Sequence, residues 1–315
     1  MIDRYPATSG PEPSRLLRLW LLLPVAVRAI VVGELVVSAG GLVPAVLMIA
    51  NLKFSPRIPW LLPTTAAWLW LCWRWLNGWG WPRSTAEARR RDLRARPLPG
   101  RVWRWALAAG ALGFASTNGL AFLTPRLSEI PRDAFKLPLD FAALPPWTVA
   151  ATLLTISAVA GVLEEAGYRG YMLSPIERRH GWTPAILIVG LMFFLDHHVS
   201  HAYATFAFLP FFLAVSAVHG CLVYCTRSIL PSIVLHTVGD VLIIPVQYGI
   251  VGNPPLAAVW KTGLDRGFVI ALAAFLLCGL AAVPAFRRLA AVAGAAGAAG
   301  VAGREAPEVP GARRP

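Results

Sequence analysis

Apolar runs of about twenty residues recur along this chain, and that is the length an α-helix needs to cross a bilayer. The eight runs cover residues 29–52, 58–76, 105–124, 147–173, 183–199, 205–225, 229–251 and 268–286. Charged residues make up 14% of the chain, against about 25% in an average soluble domain. The pattern predicts an all-α polytopic membrane protein with about eight transmembrane helices. It excludes a soluble globular enzyme, a disordered chain and a disulfide-stapled secreted module.

The positive charge of the chain predicts its orientation. The net charge is +13, and most of the 29 Lys and Arg residues fall on the side of the membrane that would hold both termini. Because short loops rich in Lys and Arg stay in the cytoplasm, we expect both termini there. Only three of these residues are lysine, a bias typical of GC-rich bacterial genomes, so we expect a bacterial plasma membrane. Since topology accounts for the charge, we expect no nucleic-acid partner.

The runs and loops divide the chain into five segments. We expect a cytoplasmic N-terminal segment (1–28), a first group of transmembrane helices (29–144), a core that holds the polar motifs (145–251), a last transmembrane helix (252–286) and a disordered cytoplasmic tail (287–315). The first group includes a basic cytoplasmic loop at 80–104, which we expect to lie against anionic lipid headgroups.

Ionisable side chains inside the apolar runs mark the candidate site, because a charge at mid-helix costs roughly 2.5–3.5 kcal/mol on insertion scales. Five acidic residues lie within the predicted spans, and four histidines lie in or near them. They are Glu34, Glu164, Glu165, Asp196, Asp240, His197, His198, His219 and His236. Most of them fall in the fourth, fifth and seventh spans. Glu34 has no partner in the first span, so a structural role is favoured for it.

The fourth span contains adjacent glutamates, Glu164 and Glu165, followed by Arg169. Neighbouring helix positions differ by about 100°, so the two glutamates face different directions. Arg169 is four residues after Glu165 and shares its face, which predicts an ion pair within the helix. Glu164 is then free to meet another helix. The alternative is that both acids only hold helices together, although a single Ser or Asn would do so at lower cost.

The fifth and seventh spans supply histidines. His197 lies about seventeen residues after the expected turn at 179–181, and Glu164 about sixteen before it, so a helical hairpin brings them to similar depth. His198 is the alternative to His197. His236 and Asp240 are four residues apart in the seventh span and therefore project from one helix face. The other histidines, His180, His201 and His219, are interpreted as structural or solvated.

These motifs, EExxxR, FxxxH and HxxxD on separate helices, resemble those of the CAAX prenyl protease and bacteriocin-processing family of intramembrane proteases, also called CPBP or Abi. The resemblance covers about residues 145–245 and implies that the 145–251 core is a protease core with a conical intramembrane cavity. It also implies an endopeptidase that cuts near the C-terminus of a membrane-tethered or lipidated peptide or protein.

Carried over by position, the resemblance implies that Glu164 and His197 activate water and that Arg169 steadies the glutamate pair. His236 and Asp240 would complete the site. The third motif of the family often ends in Asn, whose amide can donate a hydrogen bond, whereas an ionised Asp can only accept one. Asp240 therefore either carries a proton, orients His236 or binds a metal.

The sequence leaves the place of a metal open. Candidate zinc ligands are His197, His236, Glu164 and Asp240, which could leave one position for water. We favour catalysis without an obligatory metal. Hydrolysis needs water at this depth, so we expect a cavity open to the cytoplasm between the fourth, fifth and seventh spans. The alternatives are a non-catalytic scaffold or immunity protein and a proton-coupled transporter, but the sequence lacks the matching halves typical of the latter.

Overall fold

A computed structural model describes residues 15–130, 141–197, 202–247, 250–251 and 257–305, and within these ranges every regular element is helical. The helices are α1 (Arg15–Leu22), α2 (Val25–Phe54), α3 (Leu61–Leu76), α4 (Ala86–Leu93), α5 (Gly100–Ser128), α6 (Pro146–His180), α7 (Trp182–Asp196), α8 (Ala202–Ala207), α9 (Leu209–Thr226), α10 (Leu230–Gln247), α11 (Val259–Thr262) and α12 (Arg266–Ala298, continuing to Glu305). The predicted all-α polytopic membrane fold is confirmed.

Six of these helices are long and apolar enough to cross a membrane, namely α2, α5, α6, α9, α10 and α12. The second and fifth predicted spans correspond to α3, with 16 residues, and α7, with 15 residues. At about 1.5 Å per residue these helices measure only about 23–24 Å, less than the roughly 30 Å of a typical hydrocarbon core. The expected count of eight spans is therefore not confirmed.

The helix that carries the two adjacent glutamates has an unusual backbone. Residues Ala160–Met172 of α6 are π-helical, with hydrogen bonds that run from i to i+5. The helix ends at His180, and Gly181 follows with φ of 84°, a backbone conformation that suits glycine. The turn between α6 and α7 therefore lies where the sequence places it, near 179–181.

The end of α12 differs from the sequence expectation. The segment from 287 onward was expected to be disordered, yet the helix runs on through its Ala- and Gly-rich stretch to Glu305. Alanine has the highest intrinsic helix propensity, and it outnumbers glycine in this stretch. Leu289 and Val292 are also buried in a cluster that includes Val102 and Ala106 of α5. Residues 306–315 lie outside the described ranges.

Small residues bring two helices close to the π-helical segment. Gly33 of α2 lies so near Gly167 that a Cβ atom added to Gly33 would be 2.9 Å from the Gly167 carbonyl oxygen. Gly161 lies against Thr237 of α10, where an added Cβ would overlap the threonine hydroxyl. These close contacts pack α2 near Gly167 and α10 near Gly161, both within the π-helical segment that holds the glutamates.

The end of α6 near the basic loop is held by ion pairs. Glu177 pairs with Arg94, at 2.5 Å, and with Arg227. Arg178 pairs with Asp92 at 2.7 Å. These contacts fix the segment between α4 and α5, and the turn between α9 and α10, at this end of α6.

Candidate active site

Glu165 is the fully buried member of the glutamate pair. Its Oε1 accepts a hydrogen bond from His236 Nδ1 at 2.8 Å and lies 3.3 Å from an Arg169 nitrogen. Its Oε2 accepts a hydrogen bond from Ser232 Oγ at 2.5 Å. Because the hydroxyl proton of Ser232 is used there, His219 Nδ1 donates to Ser232 Oγ, at 2.7 Å. Glu165 is thus an anchor for two neighbouring histidines.

Arg169 forms the ion pair that the i,i+4 spacing predicts. Its side chain is buried, and its guanidinium lies over the ring of Phe193 with 4.6 Å to the ring centroid. A buried cation is costly unless it is paired, and Glu165 provides the opposite charge. Both oxygens of Glu165 accept hydrogen bonds, one from His236 and one from Ser232, as an ionised carboxylate does.

Glu164 points in another direction and lines a cavity. Its Oε2 is buried and has no hydrogen-bond partner among the described residues. This oxygen lies 3.9 Å from His197 Nε2 and 3.9 Å from His236 Nε2. Both distances exceed that of a direct hydrogen bond, and a separation of this kind suits a bridging water molecule.

His197 is the first residue beyond the end of α7. Its Nδ1 lies 2.8 Å from the carbonyl oxygen of Phe193, to which it donates. In the neutral ring this leaves Nε2 with a free lone pair that faces Glu164. The ring also packs on Phe193 and Phe212, with centroid distances of 4.3 and 5.1 Å. The alternative residue His198 lies outside the described residues, as does His201.

His236 is held between carboxylates on both sides of its ring. Nδ1 donates to Glu165, whereas Nε2 lies 3.9 Å from Glu164 Oε2 and 3.6 Å from Asp240 Oδ2. Glu165 is therefore the residue that orients the ring through a hydrogen bond. Asp240, which the sequence considered for that role, lies on the Nε2 side with Glu164 and lines the cavity.

The cavity has a volume of about 360 Å³ and lies among α5, α6, α7, α9 and α10. Most of its wall is apolar and rich in phenylalanine. The polar groups that line it are Glu164, His197, His219, His236, Asp240, Thr117, Asn118 and Gln247. It thus contacts the helices of the fourth, fifth and seventh predicted spans, with two further helices completing the wall.

Three cavity or network residues were missed or undervalued in the sequence. His219 was interpreted as structural or solvated, and Ser232 was not singled out, although it lies four residues before His236. Asn118 lies on α5, which packs parallel to α10: Gly110 faces Leu235, and Phe114 faces Gly239. Continued along the two helices, this register places Asn118 about one helical turn beyond the level of Asp240. Only the packing of distant helices reveals that relationship.

Glu34 and Asp196 are not among the residues that line this cavity. Asp196 instead accepts a hydrogen bond from the hydroxyl of Tyr168. Glu34 lies next to Asp196, and its Oε1 is buried without a hydrogen-bond partner among the described residues. These three side chains form a second polar cluster on the α2 side of α6.

The positions of the His and Glu ligand atoms indicate whether the site could hold a metal ion. Among the described residues, the group of three whose ligand atoms all lie within 4.8 Å of one another is Glu165, His219 and His236. Its atoms are already joined through Ser232 and through direct hydrogen bonds, and Arg169 adds a fixed positive charge. A metal ion would add a second positive charge next to Arg169, so it fits poorly in this group. The candidate ligands predicted from the sequence, centred on Glu164, show no such convergence of three atoms.

Comparison with protein-family models supports the resemblance. Residues 146–242 match a family model described as Rce1-like, Type II CAAX prenyl endopeptidase Rce1-like. The matched segment runs from the start of α6 into α10 and contains all three motifs, which confirms the resemblance that those motifs carry. No curated protein and no solved structure matches the chain.

Proposed function

From the premise that the 146–242 segment belongs with the CAAX prenyl proteases, we propose that this protein is an intramembrane endopeptidase whose catalytic centre comprises Glu164, His197 and His236. The observation that carries the proposal is the position of Glu164 Oε2. It is a buried oxygen without a hydrogen-bond partner among the described residues, and it faces two histidine nitrogens at 3.9 Å across a cavity.

A water molecule held between Glu164 and His197 is the nucleophile in this proposal. Glu164 takes a proton from the water as its oxygen attacks the scissile carbonyl carbon. The Phe193 carbonyl keeps the proton of His197 on Nδ1, so that Nε2 is available to accept a hydrogen bond from the water. When the C–N bond breaks, the proton passes from Glu164 to the departing amine.

His236 is suited to stabilise the oxyanion. Its Nδ1 donates to Glu165, which fixes the ring so that Nε2 lies beside Glu164 at the cavity, and the ring stabilises the oxyanion when Nε2 also carries a proton. Glu165, Arg169 and Ser232 act through His236 as positioning residues. Asp240 lies on the same side of the ring and, as an acid, contributes a donor only when it carries a proton.

The cavity supports a substrate that is anchored in the membrane. Its phenylalanine-rich wall is compatible with an apolar or lipid-bearing segment. Within the otherwise apolar wall, Thr117 and Asn118 each donate a hydrogen bond to the Phe114 carbonyl, which leaves their side-chain oxygens, with Gln247, to bind a peptide backbone. We propose that the enzyme hydrolyses its substrate near the substrate's C-terminus. We also propose that the enzyme is a multi-pass protein of the bacterial plasma membrane with both of its termini in the cytoplasm.

Comparison of protein termini in membranes tests this proposal. Cells would express the wild type, Glu164→Gln or Glu87→Gln at matched levels, since Glu87 is an exposed glutamate of α4. New termini should appear with the wild type and Glu87→Gln but not with Glu164→Gln, and their sequences would identify the substrate. Identical termini in all three samples would overturn the proposal and favour a non-catalytic scaffold.

A further inference from the structure

His197 lies where the helix backbone no longer fixes a side chain. Its φ and ψ of −96° and 63° are not helical, and its side chain is 37% exposed. A catalytic group must be held close to its productive geometry, because a displacement of about 1 Å can cost about 100-fold in rate. The residue directly before it, Asp196, is the last residue of α7 and provides an attachment point.

Tyr168 ties this attachment point to the catalytic helix. Its hydroxyl donates to Asp196 Oδ2, and its ring is fully buried in the π-helical segment that holds Glu164. The same ring packs edge-on against Phe193, with 5.3 Å between centroids. The Phe193 carbonyl accepts the hydrogen bond from His197, so Tyr168 contacts both the residue that precedes His197 and the residue that binds its ring.

Glu34 completes the cluster from α2. Its carboxyl group lies next to that of Asp196, and its Oε1 is buried without a hydrogen-bond partner among the described residues. The close packing of Gly33 on Gly167 brings Glu34 to this position. Glu34 lies in the N-terminal half of the chain, far outside the segment that matches the protease family.

We propose that Glu34, Asp196 and Tyr168 form a positioning network that holds His197 against Glu164. The network makes α2 part of the catalytic apparatus, and it gives the isolated acid of the first span a role. This inference rests on the proposed protease function. None of the three residues touches the reacting atoms, so each acts through the backbone and ring of His197.

Two tyrosines on the same helical segment provide a matched test. Tyr168→Phe and Tyr171→Phe each remove one hydroxyl from a buried ring, but the Tyr171 hydroxyl donates to the carbonyl of Leu76, away from the cavity. The probe is a membrane-anchored reporter peptide with a cleavage site taken from the wild-type-dependent termini, in proteoliposomes. Tyr168→Phe should lower kcat about 10- to 100-fold with KM nearly unchanged, whereas Tyr171→Phe should stay within about twofold of wild type.

A second pair of variants keeps the test decisive if Tyr168→Phe is unstable. Asp196 is an exposed residue at a helix end, so its variants should fold. Asp196→Asn retains an acceptor for Tyr168 and a donor for Glu34, and should keep most of the wild-type kcat. Asp196→Leu retains neither and should lose about as much as Tyr168→Phe.

The outcomes separate this inference from the function on which it rests. If Glu164→Gln abolishes cleavage while the two tyrosine variants are equally active, and Asp196→Leu behaves as Asp196→Asn, the network is overturned and the protease stands. If Glu164→Gln cleaves as well as the wild type, the proposed function itself fails.

Discussion

Glu164 and Glu165 are adjacent in the chain and have opposite surroundings. Glu165 is fully buried and contacts Arg169, Ser232 and His236 through its two oxygens. Glu164 lines the cavity and keeps a buried oxygen without a hydrogen-bond partner among the described residues. The same stretch of helix therefore contributes one carboxylate to the stability of the fold and, in our proposal, the other to the chemistry.

This division predicts different effects of the same substitution. Glu165→Gln removes the charge that compensates buried Arg169, and breaking such a pair costs about 3–5 kcal/mol. Glu164→Gln removes a charge without losing a protein hydrogen bond, so its unfolding temperature should stay near that of the wild type. Thermal unfolding of the two variants in the same detergent measures the difference. Equal unfolding temperatures would contradict the assigned roles.

The contact between α6 and α10 predicts a second effect. Gly161→Ala places a methyl group onto Thr237, next to His236, and must push the two helices apart. Because His236 then moves away from Glu164 and Glu165, we expect cleavage to fall at least about 10-fold. Gly41→Ala is the matched control, since a Cβ at Gly41 meets no atom within 4 Å. Comparable activity of the two variants would show that this packing does not position the site.

Local spacing predicted much of this arrangement. The four-residue separations of Glu165 from Arg169 and of His236 from Asp240 follow from helix periodicity alone, and the structure shows both pairs on shared faces. The packing between distant helices could not be predicted from the sequence. Nothing local indicates that Asn118 faces the same cavity, or that Glu34 reaches Asp196, because both relationships depend on how distant helices meet.

Two features of the helix backbone, the short length of α7 and the π-helical stretch of α6, also could not be predicted from the sequence. Apolar length alone predicts a full crossing for α7, but the helix ends at Asp196, which leaves it shorter than a typical bilayer core. The π-helical stretch from Ala160 to Met172 has no signature that separates it from an ordinary apolar helix. His219 was undervalued for a similar reason, since its partner Ser232 lies on the next helix.

Removal of metal should leave cleavage intact. The one converging group of ligand atoms among the described residues is already joined by hydrogen bonds beside Arg169, and Glu164 and His197 can activate water without an ion. The measurement is the rate of reporter cleavage in proteoliposomes after chelation, with and without added zinc. A loss of activity that zinc restores would overturn this prediction.

An ion pair at the start of α12 should make stability depend on pH. Arg126 and the backbone N–H of Phe268 hold the pKa of Asp265 below its usual range, which is about 3.9. A lowered pKa in the folded state contributes stability above about pH 4, and this stability is lost as the pH falls through the folded value.

Asp265→Asn tests that contribution, because Asn keeps the N-cap acceptor for Phe268 and loses only the charge. The variant should unfold at a lower temperature than the wild type near pH 7, and the difference should shrink as the pH falls below about 4. A difference that stays constant with pH would contradict the ion-pair account.

The most direct test of the account is cleavage by purified protein. Wild type, Glu164→Gln and Glu87→Gln would be reconstituted in proteoliposomes with the membrane-anchored reporter peptide, and products would be followed by mass spectrometry over a single turnover. We expect cleavage by the wild type and Glu87→Gln, and a rate at least about 100-fold lower for folded Glu164→Gln. Cleavage by Glu164→Gln at the wild-type rate would contradict the assignment of Glu164 as the base.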